Sequence, residues 1–161
     1  MDRFIRWVDG LTEAIGRSVS WLVLLMTAVT CLVVVLRYGF SVGSIALQES
    51  VIYLHGLVFM LGIPYALKHD AHVRVDVLHS RWSARKQRRI ELGGTLLLLL
   101  PFAVMVLLVS LLPAVQSWQI WEQSPDPNGL PRYWIKSLIP LGFGLLALQG
   151  LAQALRLRRE R

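Results

Sequence analysis

The chain has 161 residues, 55% of them hydrophobic and 17% charged, with a formal net charge of +7. The apolar residues come in long runs separated by charged segments, the pattern of a chain that crosses a bilayer and not of a soluble domain, whose apolar and polar positions interleave. Basic residues flank those runs, where anionic lipid headgroups and insertion polarity account for them, so the charge makes no case for a nucleic-acid partner.

In chain order, residues 1–16 place Phe4, Trp7, Val8, Leu11 and Ile15 at helical steps, while Asp2, Arg3, Arg6, Asp9 and Glu13 lie elsewhere. This predicts an amphipathic helix in the membrane interface, turning afterwards into a first span at about 18–37. The polar lead and the absence of a small-x-small site argue against a cleaved signal peptide. Cys31 has no disulfide partner in the chain and reads as packing.

A second span is expected at about 48–67, a third at about 91–115 and a fourth at about 134–155, since roughly 20 helical residues cross a bilayer core. Uncharged runs at 18–36, 50–67, 92–121 and 137–155 carry these assignments. The third run is longer than a crossing needs, and its helix is expected to continue through Pro113 towards Trp121, kinked at Pro101 and Pro113. The connectors are 68–90 and 116–133. The fold class is thus an all-α integral membrane protein: one domain over 1–161, four spans and an interfacial helix.

Fourteen Lys and Arg residues fall in the two terminal segments and 68–91, against three in the other two connections. Positive residues stay inside, so both termini are expected to be cytoplasmic. The outer side then carries Arg37 to Glu49 and roughly Gln116 to Lys136. There Trp118, Trp121, Tyr133 and Trp134 suit an interfacial aromatic belt. Arg37 and Glu49, at the outer ends of the first two spans, are expected to form an ion pair.

Chemical sites are scarce. His69, His72, Asp76 and His79 in HDAHVRVDVLHSR have helical spacing, which would suit a metal site. From Ala71 to Val77, however, apolar and polar residues alternate, and an extended segment would scatter those ligands. The preferred reading is a structural connector with no metal. A haem bundle needs paired ligands and only His55 is embedded; a disulfide-forming enzyme needs cysteine pairs. No catalytic residues are assigned. His55 is expected to make an interhelical hydrogen bond. Gly142, Gly150 and Ala154, with Gly144 nearby, are small residues suited to close helix packing.

The order of these features resembles a known family. Arg37 and Tyr38 close the first span, Glu49 opens the second, and FMLGIPYALKHDAHVRVD (59–76) carries a His-hydrophobic-Arg-hydrophobic-Asp run at His72, Arg74 and Asp76. GLPRYWIKSLIPLGFGLLALQGLAQAL (129–155) follows, with Gly129, Leu130, Pro131, Lys136, Pro140 and Gln149. Together, over about 18–155, they are similar to the small (Q-type, DctQ-like) membrane subunit of tripartite ATP-independent periplasmic (TRAP) transporters. The chain departs from many members in having one acid, Glu49, where they have a pair.

The resemblance implies a scaffold subunit of a sodium-driven importer of organic anions, commonly carboxylates. Its expected partners are a large (M-type) transport subunit, a periplasmic binding protein and phospholipids. It would hold no cofactor, with sodium ions bound in the large subunit. Ser41, Ser44, Gln48, Gln123, Asp126, Asn128 and Arg132 are the expected contacts with the binding protein. The alternatives are a stand-alone four-helix transporter and a membrane enzyme.

Overall fold

The computed structural model describes residues 2–69 and 83–159. Among them every regular element is helical, and four helices are long and apolar enough to cross a membrane.

α1 runs unbroken from Asp2 to Gly39. It contains no proline, and Ser18, Ser20, Thr27 and Thr30 turn their hydroxyls onto carbonyls of the preceding turn. The amphipathic segment and the first span are therefore one helix, where an interfacial helix followed by a turn was expected. At about 57 Å it is far longer than a bilayer core of about 30 Å.

The inward stripe of α1 is Val8, Thr12, Gly16 and Val19, all buried, followed by half-buried Leu22, Met26, Val29, Val33 and Leu36; every other residue from 20 to 37 is exposed. From Val19 onwards the steps are three, four, three, four, three, close to a coiled-coil seam. It packs along α2 (Ile45–Lys68), whose first turn is capped by Ser44 Oγ accepting from Leu47 N–H at 3.4 Å.

The third crossing begins early. α3 (Ala84–Gly94) leads through a π-turn at Thr95–Leu99 into α4 (Leu100–Gln119). Good helix formers, Arg85 to Arg89, draw the connector's end into the helix, ahead of the start expected at 91. The π-turn has a local cause. Pro101 has no N–H and its ring crowds the carbonyl four residues back, while just before it Leu100 N–H reaches five residues back to Thr95 O. The extra residue in that turn admits the proline, and Pro113 lies farther along α4.

α5 (Arg132–Arg159) is the central helix. Its buried residues include Gly142, Gly150, Ala152 and Ala154, whose small size lets neighbours approach on several sides. α2 and α4 pack on it, and α1 reaches it as well. Leu67, Ala103 and Leu146 centre the apolar core, with Ile63, Leu99, Phe143 and Ala147 around them. α1 and α4 thus occupy opposite flanks of a thin bundle.

Candidate functional site

The bundle has two polar ends joined by apolar spans. At the end holding both termini, three elements meet around two carboxylates. Asp9 on α1 receives Gln149 Nε2 at 3.1 Å and Arg156 Nη2 at 2.5 Å, both from α5. Gln149 is 1% exposed, and its Oε1 accepts from Thr12 Oγ1 at 2.8 Å, so both ends of a buried amide are satisfied. One turn on, Glu13 binds Lys68 Nζ at 2.6 Å, His69 Nε2 at 2.9 Å and Arg17 Nε at 2.9 Å. These partners, Lys68 foremost and then His69 and Arg17, hold the Glu13 carboxyl at about 2, below the ordinary 4.5. Lys68 Nζ also donates to Asp9 O at 3.0 Å, and Arg159 pairs with Asp2. The residues 1–16, expected to lie along a membrane surface, are tied here into the bundle.

At the far end the connector 120–131 folds over the start of α2. Glu49 accepts from Ser124 Oγ at 2.5 Å and from the backbone N–H of Leu130. Tyr53, one turn along, donates its hydroxyl to Pro131 O at 3.0 Å. Gly129 is required at this point, because a Cβ there would stand 2.3 Å from Ser124 and 2.7 Å from a Glu49 oxygen. The expected Arg37–Glu49 ion pair is absent: the Glu49 oxygens are taken by the connector, and Arg37 is exposed at the end of α1. Charge and nearness in sequence suggested that pair. The connector, some 75 residues away in the chain, outcompetes it.

The same connector is fixed at α4 and α5. Trp121 takes the left-handed conformation (φ 48°) that ends α4, with Glu122 N–H donating to Ser117 O at 3.0 Å. Glu122 then accepts from Ser117 Oγ at 2.6 Å and pairs with Lys136, which together hold its carboxyl below the usual range, Lys136 contributing most. Trp118 packs on Tyr133 with ring centroids 4.4 Å apart and on Trp134 at 5.1 Å, and donates Nε1–H to Ser137 Oγ at 2.7 Å. The aromatic residues expected as a belt therefore also form one cluster that locks the connector to α5.

The surface outside this framework is mixed, with Phe40, Val42 and Ile120 exposed beside polar groups. Ser41 (φ 57°), Gln123, Asp126 and Asn128 (φ 60°) are exposed; Ser44 caps α2, and Gln48 and Arg132 are half-buried. Among the small residues, a Cβ on Gly142 would come within 2.9 Å of Met60 O, one on Gly150 within 2.5 Å of Leu99 Cδ2, and Ala154 is 5% exposed. His55 is not between helices as expected. It faces outwards from α2, stacked on Phe59, and makes no hydrogen bond among the described residues. His72, Arg74, Asp76 and His79, and with them the alternating segment, lie outside the described residues. Among the described residues no group of three or more His, Cys, Asp or Glu could hold a metal.

A family model for tripartite ATP-independent periplasmic transporters, DctQ component, matches residues 26–160. The chain belongs to the DctQ family. No curated protein and no solved structure matches it. It is therefore a small subunit of a TRAP transporter and a multi-pass membrane protein, from a family of transporter components and not of enzymes. DctQ proteins work with a large membrane subunit and a periplasmic binding protein.

Several residues that marked the resemblance are the tie points of this DctQ fold. Glu49, Gly129, Leu130 and Pro131 build the far-end clasp, Lys136 anchors Glu122, and Gln149 bridges Thr12 and Asp9. Asp9, Glu13, Ser117 and Ser124 went unnoticed as partners. Each is a common polar residue, and only the pairing in the folded chain distinguishes it.

Proposed function

We propose that this DctQ subunit is a scaffold: it enlarges the static part of the large transport subunit and offers a docking surface to the binding protein, while the large subunit carries substrate and sodium ions. The observation that carries this reading is the division of polar and apolar groups. Polar residues gather at the two ends and are paired there, whereas the spans are thinly covered. In the most apolar stretch of α1 only 6% of residues are buried, and in those of α2 and the third crossing 11%, against 44% in α5. Grooves between spans are lined by residues such as Leu100, Val104, Leu107, Leu141 and Leu148, which offer an anion nothing to bind. Such a chain has surface to give to a partner, and this groove among its described residues is apolar.

By charge distribution the end with both termini is cytoplasmic and the Glu49–Leu130 clasp periplasmic, in a bacterial inner membrane. Exposed Ser41, Gln123, Asp126 and Asn128 then face the binding protein, with Ser44, Gln48 and Arg132 behind them. The imported solute is an organic anion, commonly a carboxylate, and the small subunit needs no cofactor for this role.

Co-expression tests the reading. Expressed with this chain, the large subunit of the neighbouring reading frame is expected to purify as a monodisperse two-subunit complex. A large subunit equally stable and equally active without this chain would reject the scaffold role.

A further inference from the structure

Several short hydroxyls within the spans are satisfied by their own helix, Tyr53 and Gln149 bond to other elements, and the Gln153 Oε1 is buried inside the bundle without a partner among the described residues. Thr27 and Thr30 on α1, Ser50 on α2 and Ser110 on α4 each give their hydroxyl proton to a carbonyl of their own helix, at 2.7 to 3.1 Å. A short hydroxyl can do this and remain stable against hydrocarbon. Imidazole cannot reach back in that way. His55 stands on the outward side of α2, and neither ring nitrogen has a hydrogen-bond partner among the described residues; its neighbour is Phe59, ring centroids 6.4 Å apart and interplanar angle 17°.

Depth makes this costly. His55 is ten residues into a helix of 24, about 15 Å from one end and about 20 Å from the other. A lysine or arginine near a helix end can extend to the headgroups, but the shorter imidazole, seven residues inside the expected span of 48–67, cannot. Lipid tails supply no acceptor. An intramembrane polar group so placed calls for a protein partner.

The residues around it describe what fits. Ile52 is 63% exposed and Phe59 57% exposed, and with His55 they lie on the side of α2 that neither α1 nor α5 covers. Gly62 continues the stripe at the next three-residue step. Among the described residues a Cβ there would meet nothing within 4 Å, so this glycine serves no close approach within them, unlike Gly16, Gly56 and Gly142. A polar anchor, two large apolar contacts and an unused point of close approach follow one another at steps of three, four and three, the spacing of a helix-on-helix seam.

We infer that the Ile52–His55–Phe59–Gly62 face of α2 seats a transmembrane helix of the large permease subunit, and that a hydrogen-bonding side chain on that helix, at the depth of His55, engages it. The inference rests on the subunit reading above. Family membership supplies the occupant, because a DctQ protein is one component of a multi-component transporter. The flanking α1 and α4 expose large apolar residues as well, Leu24 at 62% and Val109 at 69%, but no unpartnered polar anchor accompanies them, and lipid satisfies such surfaces.

The test uses the chain co-expressed with the large subunit of the neighbouring reading frame and photocrosslinked through benzoylphenylalanine in place of Phe59. An adduct with the large subunit is expected; an adduct only with a second copy of this chain, or only with lipid, would overturn the proposal. In parallel, His55→Phe keeps the stacked ring and deletes the hydrogen bond, and should lower the co-purified large subunit roughly fivefold. Gly62→Leu should do the same by bulk, while Val109→Leu on α4 should leave it unchanged. Wild-type levels of complex in both α2 variants would also overturn the proposal. Failure of the wild-type chain to form a complex would instead reject the subunit reading itself, which separates the two outcomes.

Discussion

At the residue scale, what matters is which acid meets which partner. Glu49 holds a distant connector through Ser124 and the Leu130 N–H, so Glu49→Ala removes both acceptors at once and leaves a backbone donor without its partner. Its thermal midpoint in detergent should fall further than that of Ser124→Ala, which removes one donor only; equal midpoints would contradict the clasp. Glu13 gives a pH signature. Its carboxyl is held at about 2 in the folded protein against an ordinary 4.5, so the stabilisation is complete above the ordinary value and is lost as pH falls towards 2. Thermal midpoints measured from pH 6 down to pH 3 should decline, and Glu13→Gln should flatten part of that decline. An identical pH profile in the variant would refute it. The sequence showed these residues to be polar and terminal to spans, but pairing depends on which of several equally plausible charges is nearest after folding. That is why Arg37 was matched to Glu49, and why Glu13 passed as a solvated face.

At the scale of elements, helix contacts depend on a few positions without side chains. Gly16 lets α1 approach Tyr65 so closely that a Cβ would stand 2.1 Å from the ring, and Gly142 brings α5 against the backbone of α2 at Met60. Backbone cannot step aside, whereas the end of a leucine can. Gly142→Ala should therefore cost about 1–3 kcal/mol, and Gly150→Ala, which meets Leu99 Cδ2, distinctly less. Unfolding titrations of the two variants check this order, and a reversed order would show that the α2–α5 contact yields more readily than its geometry implies. Length and hydropathy were enough to place all four crossing helices, because a bilayer core fixes how many apolar residues a span needs. They could not show the seam of α1. Residues 18–36 are apolar nearly all round, so the stripe from Val19 to Leu36 has no polar contrast in the sequence and appears only in the burial pattern. The same uniformity hid the outward direction of His55.

At the scale of the whole molecule, α1 and α4 flank a central α5 and α2, and most of the span surface faces outwards. This shape leaves the described span surface mostly apolar and open, with the polar pairs at the two ends. The orientation proposed above also sets an expectation for the far-end connector: the Asp126 side chain is exposed there, while its backbone N–H donates to Ser124 Oγ at 3.2 Å beside the Glu49 clasp. Asp126→Lys should raise the binding-protein concentration needed for half-maximal uptake while leaving the complex intact, and an unchanged concentration would remove this patch from the docking surface. The most direct measurement is solute uptake into vesicles reconstituted with the large subunit, the binding protein and this chain, each omitted in turn. The scaffold account predicts uptake that requires all three and none by this chain alone; sodium-driven uptake by vesicles holding this chain as their only membrane protein would contradict it.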